Sequence, residues 1–91
     1  MTPNVAKRVL YHGRVQGVGF RYTAQSLARG YPVAGFVRNL PTGEVELVAE
    51  GPRDRVDAFL NAVAGRMADC ISHATVTDAA PTGAADFRIR R

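Results

Sequence analysis

Three glycines and an arginine lie close together in the segment "GRVQGVGFR" (13–21), and their types and spacing suit anion chemistry. Glycine reaches positive φ and lets the backbone approach a ligand without a Cβ in the way. If this segment leads into a helix, its N–H groups form a nest that binds an anion, aided by the helix dipole. Arg21 then falls in the first turn, where a cation costs the helix about 0.3–1 kcal/mol. A bound dianion offsets that cost, and the planar guanidinium grips phosphate with two hydrogen bonds.

This segment matches neither of the common phosphate-loop signatures. No Lys-Ser or Lys-Thr follows its last glycine, as a Walker A loop requires, and "GRVQGVG" differs from the dinucleotide-binding fingerprint. A flexible strand–helix turn with a surface arginine would show the same residues. The segment alone therefore does not decide between an anion-binding loop and a structural turn.

A second candidate is Asn39 in "GFVRNLPTGEV" (35–45), at the predicted end of a strand and before a turn. Asn is common in turns for local reasons. Its carboxamide also accepts a hydrogen bond from water and donates one to an oxygen, so it can orient a nucleophile without titrating. We expect the first and second strands to run close together, which would bring Asn39 near the mouth of the glycine loop.

Hydrophobic periodicity predicts the elements that position these residues. The fold class we expect is α+β, a ferredoxin-like βαββαβ sandwich with two helices on one face of an antiparallel sheet and a short C-terminal edge strand. The predicted strands cover 7–15, 33–40, 44–51, 71–79 and 87–90, and the predicted helices cover 20–30 and 52–67.

Local patterns add detail to this prediction. "EVELVAEG" (44–51) alternates strictly, which predicts a hairpin strand with one face in water and its glutamates on that face. Gly30 is a natural helix stop, and Pro32 bars continuation. The apolar stripes of the two helices are Phe20, Ala24, Leu27 and Ala28 in the first and Val56, Phe59, Leu60 and Val63 in the second.

The totals describe one domain over residues 1–91, with a formal net charge of +4 and a single cysteine, Cys70. The basic excess favours anionic partners without choosing among them. We expect no signal peptide and no membrane span, hence a cytoplasmic protein with no room for further domains. The sequence leaves the oligomeric state open, and a monomer is the default expectation. The basic end "RIRR" (88–91) is typical of a solvated terminus.

Taken together, "GRVQGVGFR" and "GFVRNLPTGEVELVAEG" (35–51) resemble the two signatures of the acylphosphatase family. The resemblance implies hydrolysis of the carboxyl–phosphate bond of acyl phosphates to a carboxylate and inorganic phosphate, with no metal and no cofactor. It implies catalytic roles for Arg21, which holds the phosphate, and Asn39, which orients the attacking water. The implied phosphate cradle is the backbone of Val15, Gln16, Gly17, Val18, Gly19 and Phe20.

The same resemblance implies a small-molecule acyl phosphate as partner, with inorganic phosphate as product and competitive inhibitor, and neither nucleic acid nor membrane. Two departures stand out. Gly30, Tyr31 and Pro32 replace the family's commoner leucine–glycine step, which should alter the exit of the first helix. Leu40 stands where some members have threonine, so a hydroxyl role there is absent. No pattern in the sequence marks a pocket for the acyl group.

Other readings of the chain are weaker. His12 and His73 have no acidic or cysteine partner at motif spacing, and no cluster shows metal-ligand spacing. We expect Cys70 to pack as a small apolar residue. An RNA-recognition module shares this fold, yet "EVELVAEG" lacks the aromatic pattern that such modules need. A noncatalytic module that binds acyl or carbamoyl phosphate is a further alternative, since the family's domain also occurs in the hydrogenase-maturation carbamoyltransferase.

Overall fold

The elements follow the predicted order β1, α1, β2, β3, α2, β4, β5 in a computed structural model that describes residues 4–90. Both predicted helices end one or two residues short of their expected limits, and the last two strands have the predicted bounds. The elements are β1 (Asn4–Gly13), α1 (Phe20–Ala28), β2 (Ala34–Asn39), β3 (Val45–Pro52), α2 (Arg53–Arg66), β4 (Ile71–Ala79) and β5 (Phe87–Arg90).

One five-stranded sheet has the strand order β4-β1-β3-β2-β5, which confirms the ferredoxin-like α+β fold. The first four strands pair antiparallel, as expected. The edge strand β5 instead pairs parallel with β2, so the sheet is mixed. We expected β1 and β2 to run close together; β3 lies between them, so the two strands are not direct neighbours.

A single apolar core lies between the sheet and the two helices. Helix α1 buries Phe20, Ala24 and Ala28, and α2 buries Val56, Phe59 and Val63 at helical spacing. These side chains pack with the inward residues of the central strands, including Val9 and Leu47. Each predicted stripe is therefore confirmed, although Leu27 and Leu60 at the stripe margins are only partly buried. Burial of these side chains supplies most of the driving force for folding.

The prediction that β3 has a wet face was wrong. β3 is the central strand, and its Glu46 and Glu50 are only 4% and 7% exposed. Arg8 and Arg38, on the two strands that flank β3, each donate from Nε to Glu46 at 2.5 Å. Charge pairing across neighbouring strands, which the alternation of one strand cannot reveal, therefore covers this face of the sheet.

Helix α1 ends at Ala28, close to the predicted stop at Gly30. The N–H groups of Arg29, Gly30 and Tyr31 bond to carbonyls three residues back, so the helix tightens as it ends. Gly30 is not among the glycines with positive φ. A tightened last turn satisfies the final carbonyls without a left-handed glycine.

Candidate active site

The loop from Arg14 to Gly19 joins β1 to α1 and is fixed at both ends by buried side chains. Val15 is 1% exposed and Phe20 is 2% exposed, and both belong to the core. The ring of Phe20 packs against Tyr11 of β1 at 4.8 Å between centroids. These anchors hold the intervening backbone in place while leaving it at the surface.

Two glycines give this loop its shape. Gly17 and Gly19 have φ values of 75° and 78°, in the left-handed region that favours glycine. Gly19 is also the N-cap of α1, where no side chain caps the helix, and its carbonyl accepts the first helical bond from Thr23 N–H at 3.0 Å. Apart from the glycine itself and the residues next to it, no heavy atom of residues 4–90 lies within 4 Å of the place where a Cβ on either glycine would stand.

The backbone N–H groups of residues 16–20 have no hydrogen-bond acceptor among residues 4–90. Unpaired donors at the start of a helix, in a loop with left-handed residues, form the kind of nest that binds an anion. The first turn of α1 contains no acidic residue and does contain Arg21. The local field at this helix start is therefore positive.

Asn39 reaches the same place from another element. It is the last residue of β2 and shares the inward face with Val37, which is fully buried. A tight hairpin follows, closed by Leu40 N–H to Glu44 C=O at 2.8 Å and by Gly43 N–H to Leu40 C=O at 3.1 Å. Gly43, with φ of 98°, permits this turn.

A small cavity of about 170 Å³ brings these parts together. Arg21 and Asn39 both border it, so the two residues that the sequence singled out lie at one site. Of the predicted cradle, Gln16 and Val18 are outside the lining. The cavity is lined by Val15, Gly17, Gly19, Phe20, Arg21, Tyr22 and Asn39.

Gln16 has a structural connection that the sequence did not suggest. Its side-chain Nε2 donates to the carbonyls of Leu40 and Glu44, at 2.8 Å and 2.9 Å. The glycine loop is thereby tied to the hairpin that begins directly after Asn39. A single polar residue among glycines was the only signal, and its partners lie more than twenty residues away.

A larger groove of about 710 Å³ adjoins the small cavity, and the two share Arg21, Tyr22 and Asn39. Sequence reasoning missed this groove, because it forms only where β5 comes alongside α1. Its lining consists of Arg21, Tyr22, Gln25, Asn39, Arg88 and Ile89.

The two histidines and the cysteine lie outside both linings. The imidazoles of His12 and His73 stack at 4.0 Å, and Nδ1 of His12 lies 3.3 Å from a carboxylate oxygen of Glu44. This acidic partner lies in the turn directly before β3 and so has no motif spacing. Cys70 is partly buried and packs against the core, as expected.

Residues 4–90 contain no group of three or more His, Cys, Asp or Glu side chains placed to hold a metal ion. Neither of their helices is long and apolar enough to cross a membrane. The last residue of the basic end, Arg91, lies outside the described residues.

The fold and the cavity together define a ferredoxin-like domain with a glycine loop at the start of its first helix. The family model for acylphosphatase matches residues 7–89. The chain belongs to the acylphosphatase family, which confirms the resemblance and the expected enzyme class. An acylphosphatase of Koribacter versatilis is 42% identical over 88 residues, covering 94% of this chain and 80% of the relative.

Solved structures agree with this assignment. The crystal structure of acylphosphatase from Bacillus subtilis superposes with a TM-score of 0.85 at 34% identity, covering 96% of this chain and 99% of that one. The structure of HypF from T. kodakarensis gives a TM-score of 0.83 at 26% identity. There the match covers 96% of this chain and 12% of the HypF chain, so the same fold also occurs inside a much larger protein.

Proposed function

We propose that this chain hydrolyses acyl phosphates by direct attack of water on phosphorus, with the phosphate in the small cavity. The observation that carries the proposal is the meeting of Arg21 and Asn39, from two separate elements, at the cavity bordered by the glycine loop. Arg21 supplies a positive charge, and Asn39 supplies a neutral amide. Both are needed where an anion is bound and a water must be directed at it.

The loop and Arg21 share the task of holding the phosphoryl group. The unpaired N–H groups of residues 16–20 donate to phosphate oxygens, and the guanidinium of Arg21 adds a charge-assisted fork. In phosphoryl transfer the charge on the non-bridging oxygens must be stabilised through the transition state. Donors fixed before the reaction do this most effectively, and the buried anchors of the loop provide that rigidity.

Asn39 directs the nucleophile in this mechanism. Its carboxamide oxygen accepts a hydrogen bond from water, and its amide group donates to a phosphate oxygen. No carboxylate and no imidazole lines either cavity among the described residues. The proton of the attacking water therefore passes to a phosphate oxygen of the substrate, and the carboxylate leaves with little need of an acid.

The same linings support activity without a metal ion. Mg²⁺ prefers carboxylate and phosphate oxygens as ligands, and the protein side of both cavities offers cationic and amide groups instead. Arg21 and the loop amides take the charge-neutralising role that a metal fills in other phosphoryl-transfer sites. We expect full activity in EDTA.

Hydrolysis of benzoyl phosphate by the purified chain tests this function directly. We expect turnover in EDTA, competitive inhibition by inorganic phosphate, and a loss of about 10²–10³ in kcat/KM for Arg21→Lys, because lysine keeps the charge but not the fork. Arg29→Lys, an exposed change at the other end of α1, is the matched control and should behave as wild type. Phosphate binding without any turnover would show a noncatalytic binding module instead.

A further inference from the structure

The groove beside the phosphate cavity points to the kind of acyl group that this chain selects, an inference that rests on the proposed function. We propose that the groove binds the acyl group and that Arg88 favours acyl phosphates whose acyl group ends in a second anion, such as a carboxylate. Arg88 is the selectivity residue in this assignment, and Arg21 and Asn39 keep their roles at the phosphate.

The position of the groove follows from the shared walls of the two cavities. A phosphoryl group in the smaller cavity contacts Arg21 and Asn39, which also border the groove. The acyl group of that substrate therefore begins at the groove's edge. With a volume of about 710 Å³, the groove has room for an acyl group much larger than acetyl.

The walls suit an acyl group with an apolar body. Tyr22 is one of the few large hydrophobic residues that stand exposed, at 69%, and it borders both cavities. Ile89 of β5 forms part of the same lining. An exposed aromatic ring next to a binding cavity offers contact area at little entropic cost, so Tyr22 and Ile89 can hold the middle of the acyl group.

The charges of the groove favour an anionic end. Its two charged residues are Arg21 and Arg88, and no acidic side chain of residues 4–90 borders it. Because the substrate phosphate engages Arg21, Arg88 is the cation left for the far end of the acyl group. The two positively charged residues of the lining come from separate elements, α1 and β5.

Arg88 has donors available for this role. Its Nε donates to Asp86 at 2.8 Å, and the structure of residues 4–90 shows no bond from its two terminal nitrogens. Both side chains of this pair are well exposed, at 72% and 59%. Asp86 borders a neighbouring depression rather than the groove, so its carboxylate does not occupy the place of a ligand.

Benzoyl phosphate and its 3- and 4-carboxy derivatives test the assignment, because the acyl groups differ only by a carboxylate at the far side of the ring. We expect at least one carboxy derivative to have a kcat/KM higher than benzoyl phosphate by about two- to fivefold, the range for an exposed charge pair. Arg88→Gln should abolish this preference, because glutamine offers no charge to the carboxylate; the preference is the ratio of the two kcat/KM values, so a change common to both substrates cancels. Raising the ionic strength should shrink the preference in the wild type.

The matched control is Arg90→Gln, on the same strand two residues away. Arg90 lies over the ring of Phe36, 4.1 Å from its centroid, and does not border the groove. We expect this variant to keep the wild-type preference. Dividing each variant's preference by that of the wild type removes differences in intrinsic reactivity between the substrates.

The outcomes separate the two proposals. If benzoyl phosphate is not hydrolysed at all, the proposed function fails. If it is hydrolysed but neither carboxy derivative is preferred, or the preference survives Arg88→Gln, the groove assignment is overturned and the proposed function stands. Loss of the preference in Arg90→Gln as well would show a general surface potential rather than a contact at Arg88.

Discussion

Three residues at this site have conformations or charges that are unusual for the elements they belong to. Gly17 and Gly19 hold left-handed conformations that cost most other residues about 1–2 kcal/mol. Arg21 places a cation in the first turn of α1, where no acidic residue balances it. A locally unfavourable cation and a left-handed backbone at one cavity are typical of a functional site, because a bound anion compensates for the cation.

Replacing Asn39 should separate catalysis from binding. We expect Asn39→Ala to lower kcat by about 10²–10³, because the attacking water loses the hydrogen bond that orients it. The inhibition constant of phosphate should change far less. The loop amides and Arg21, which hold the phosphate in our proposal, stay intact. The measurement is kcat against the phosphate inhibition constant, with folding checked by circular dichroism. Equal losses in both would place Asn39 in the phosphate cradle instead.

A pH profile tests whether a titrating side chain takes part. Because no imidazole or carboxylate of residues 4–90 borders the phosphate cavity or the groove, we expect kcat to stay nearly flat between about pH 5.5 and 8. His12→Gln should leave that profile unchanged, although His12 lies beside Glu44. A steep rise near pH 6.5 in the wild type that disappears in His12→Gln would make His12 a participant and would contradict the proposed proton path.

Among the elements, those set by local periodicity were predictable. The bounds of β4 and the helical stripe of α2 each follow from residues a few positions apart, and both were found where expected. Properties that depend on the neighbouring strand were not predictable in the same way. Glu46 lies on the expected face of β3, yet it is buried because Arg8 and Arg38 flank it. Sheet order, and hence this flanking, is a long-range property.

In the candidate site, too, local features were predictable from the sequence and long-range features were not. A motif of adjacent residues singled out the glycine loop and Arg21, and a second motif singled out Asn39. The groove could not be predicted, because Tyr22 and Arg88 come from opposite ends of the chain and meet only when β5 takes its place beside β2. The two hydrogen bonds from Gln16 to the hairpin, which we call the Gln16 brace, could not be predicted for the same reason.

This brace gives a prediction at the level of elements. Gln16→Met keeps the side-chain length but removes the two hydrogen bonds that Nε2 donates to the carbonyls of Leu40 and Glu44. These carbonyls then keep only their bonds within the hairpin. We expect a loss of stability of about 1–2 kcal/mol and a fall in kcat of about tenfold or more, because a misplaced guide group is costly to rate. The inhibition constant of phosphate should change less than kcat. A stability loss with unchanged kcat would limit Gln16 to a structural role.

At the level of the whole molecule, the segment 80–86 carries the chain from β4 at one edge of the sheet to β5 at the other. Glu50, on the central strand, holds this segment. Its carboxylate accepts hydrogen bonds from the N–H groups of Thr82, at 3.0 Å and 3.1 Å, and of Gly83, at 2.9 Å, and from the Thr82 hydroxyl at 2.6 Å. The position of β5, and so of the groove wall, depends on this contact.

The protonation of Glu50 links this contact to pH. Burial alone would raise the pKa of Glu50, but the hydrogen bonds from Thr82, Gly83 and Ala84 outweigh it, so its pKa is lower than usual. The pKa of Glu46 is also lowered, where burial is outweighed by Arg8 and Arg38. Since the unfolded chain then binds these protons more readily, stability is fully present above the ordinary glutamate pKa of about 4.3 and is lost as pH falls through the folded values.

Urea unfolding from pH 7 down to about pH 3 tests this linkage. We expect Glu50→Gln to lower the free energy of unfolding at pH 7 by about 1–2 kcal/mol, because a neutral amide accepts weaker hydrogen bonds than a carboxylate. The difference from wild type should shrink as the pH falls below about 4, since Glu50 then binds a proton in the unfolded wild-type chain and, at still lower pH, in the folded chain. Asp57→Asn, an exposed change on α2, is the control and should cost little. A Glu50→Gln difference that stays constant from pH 7 to 3 would mean that the charge of Glu50 does not hold the segment.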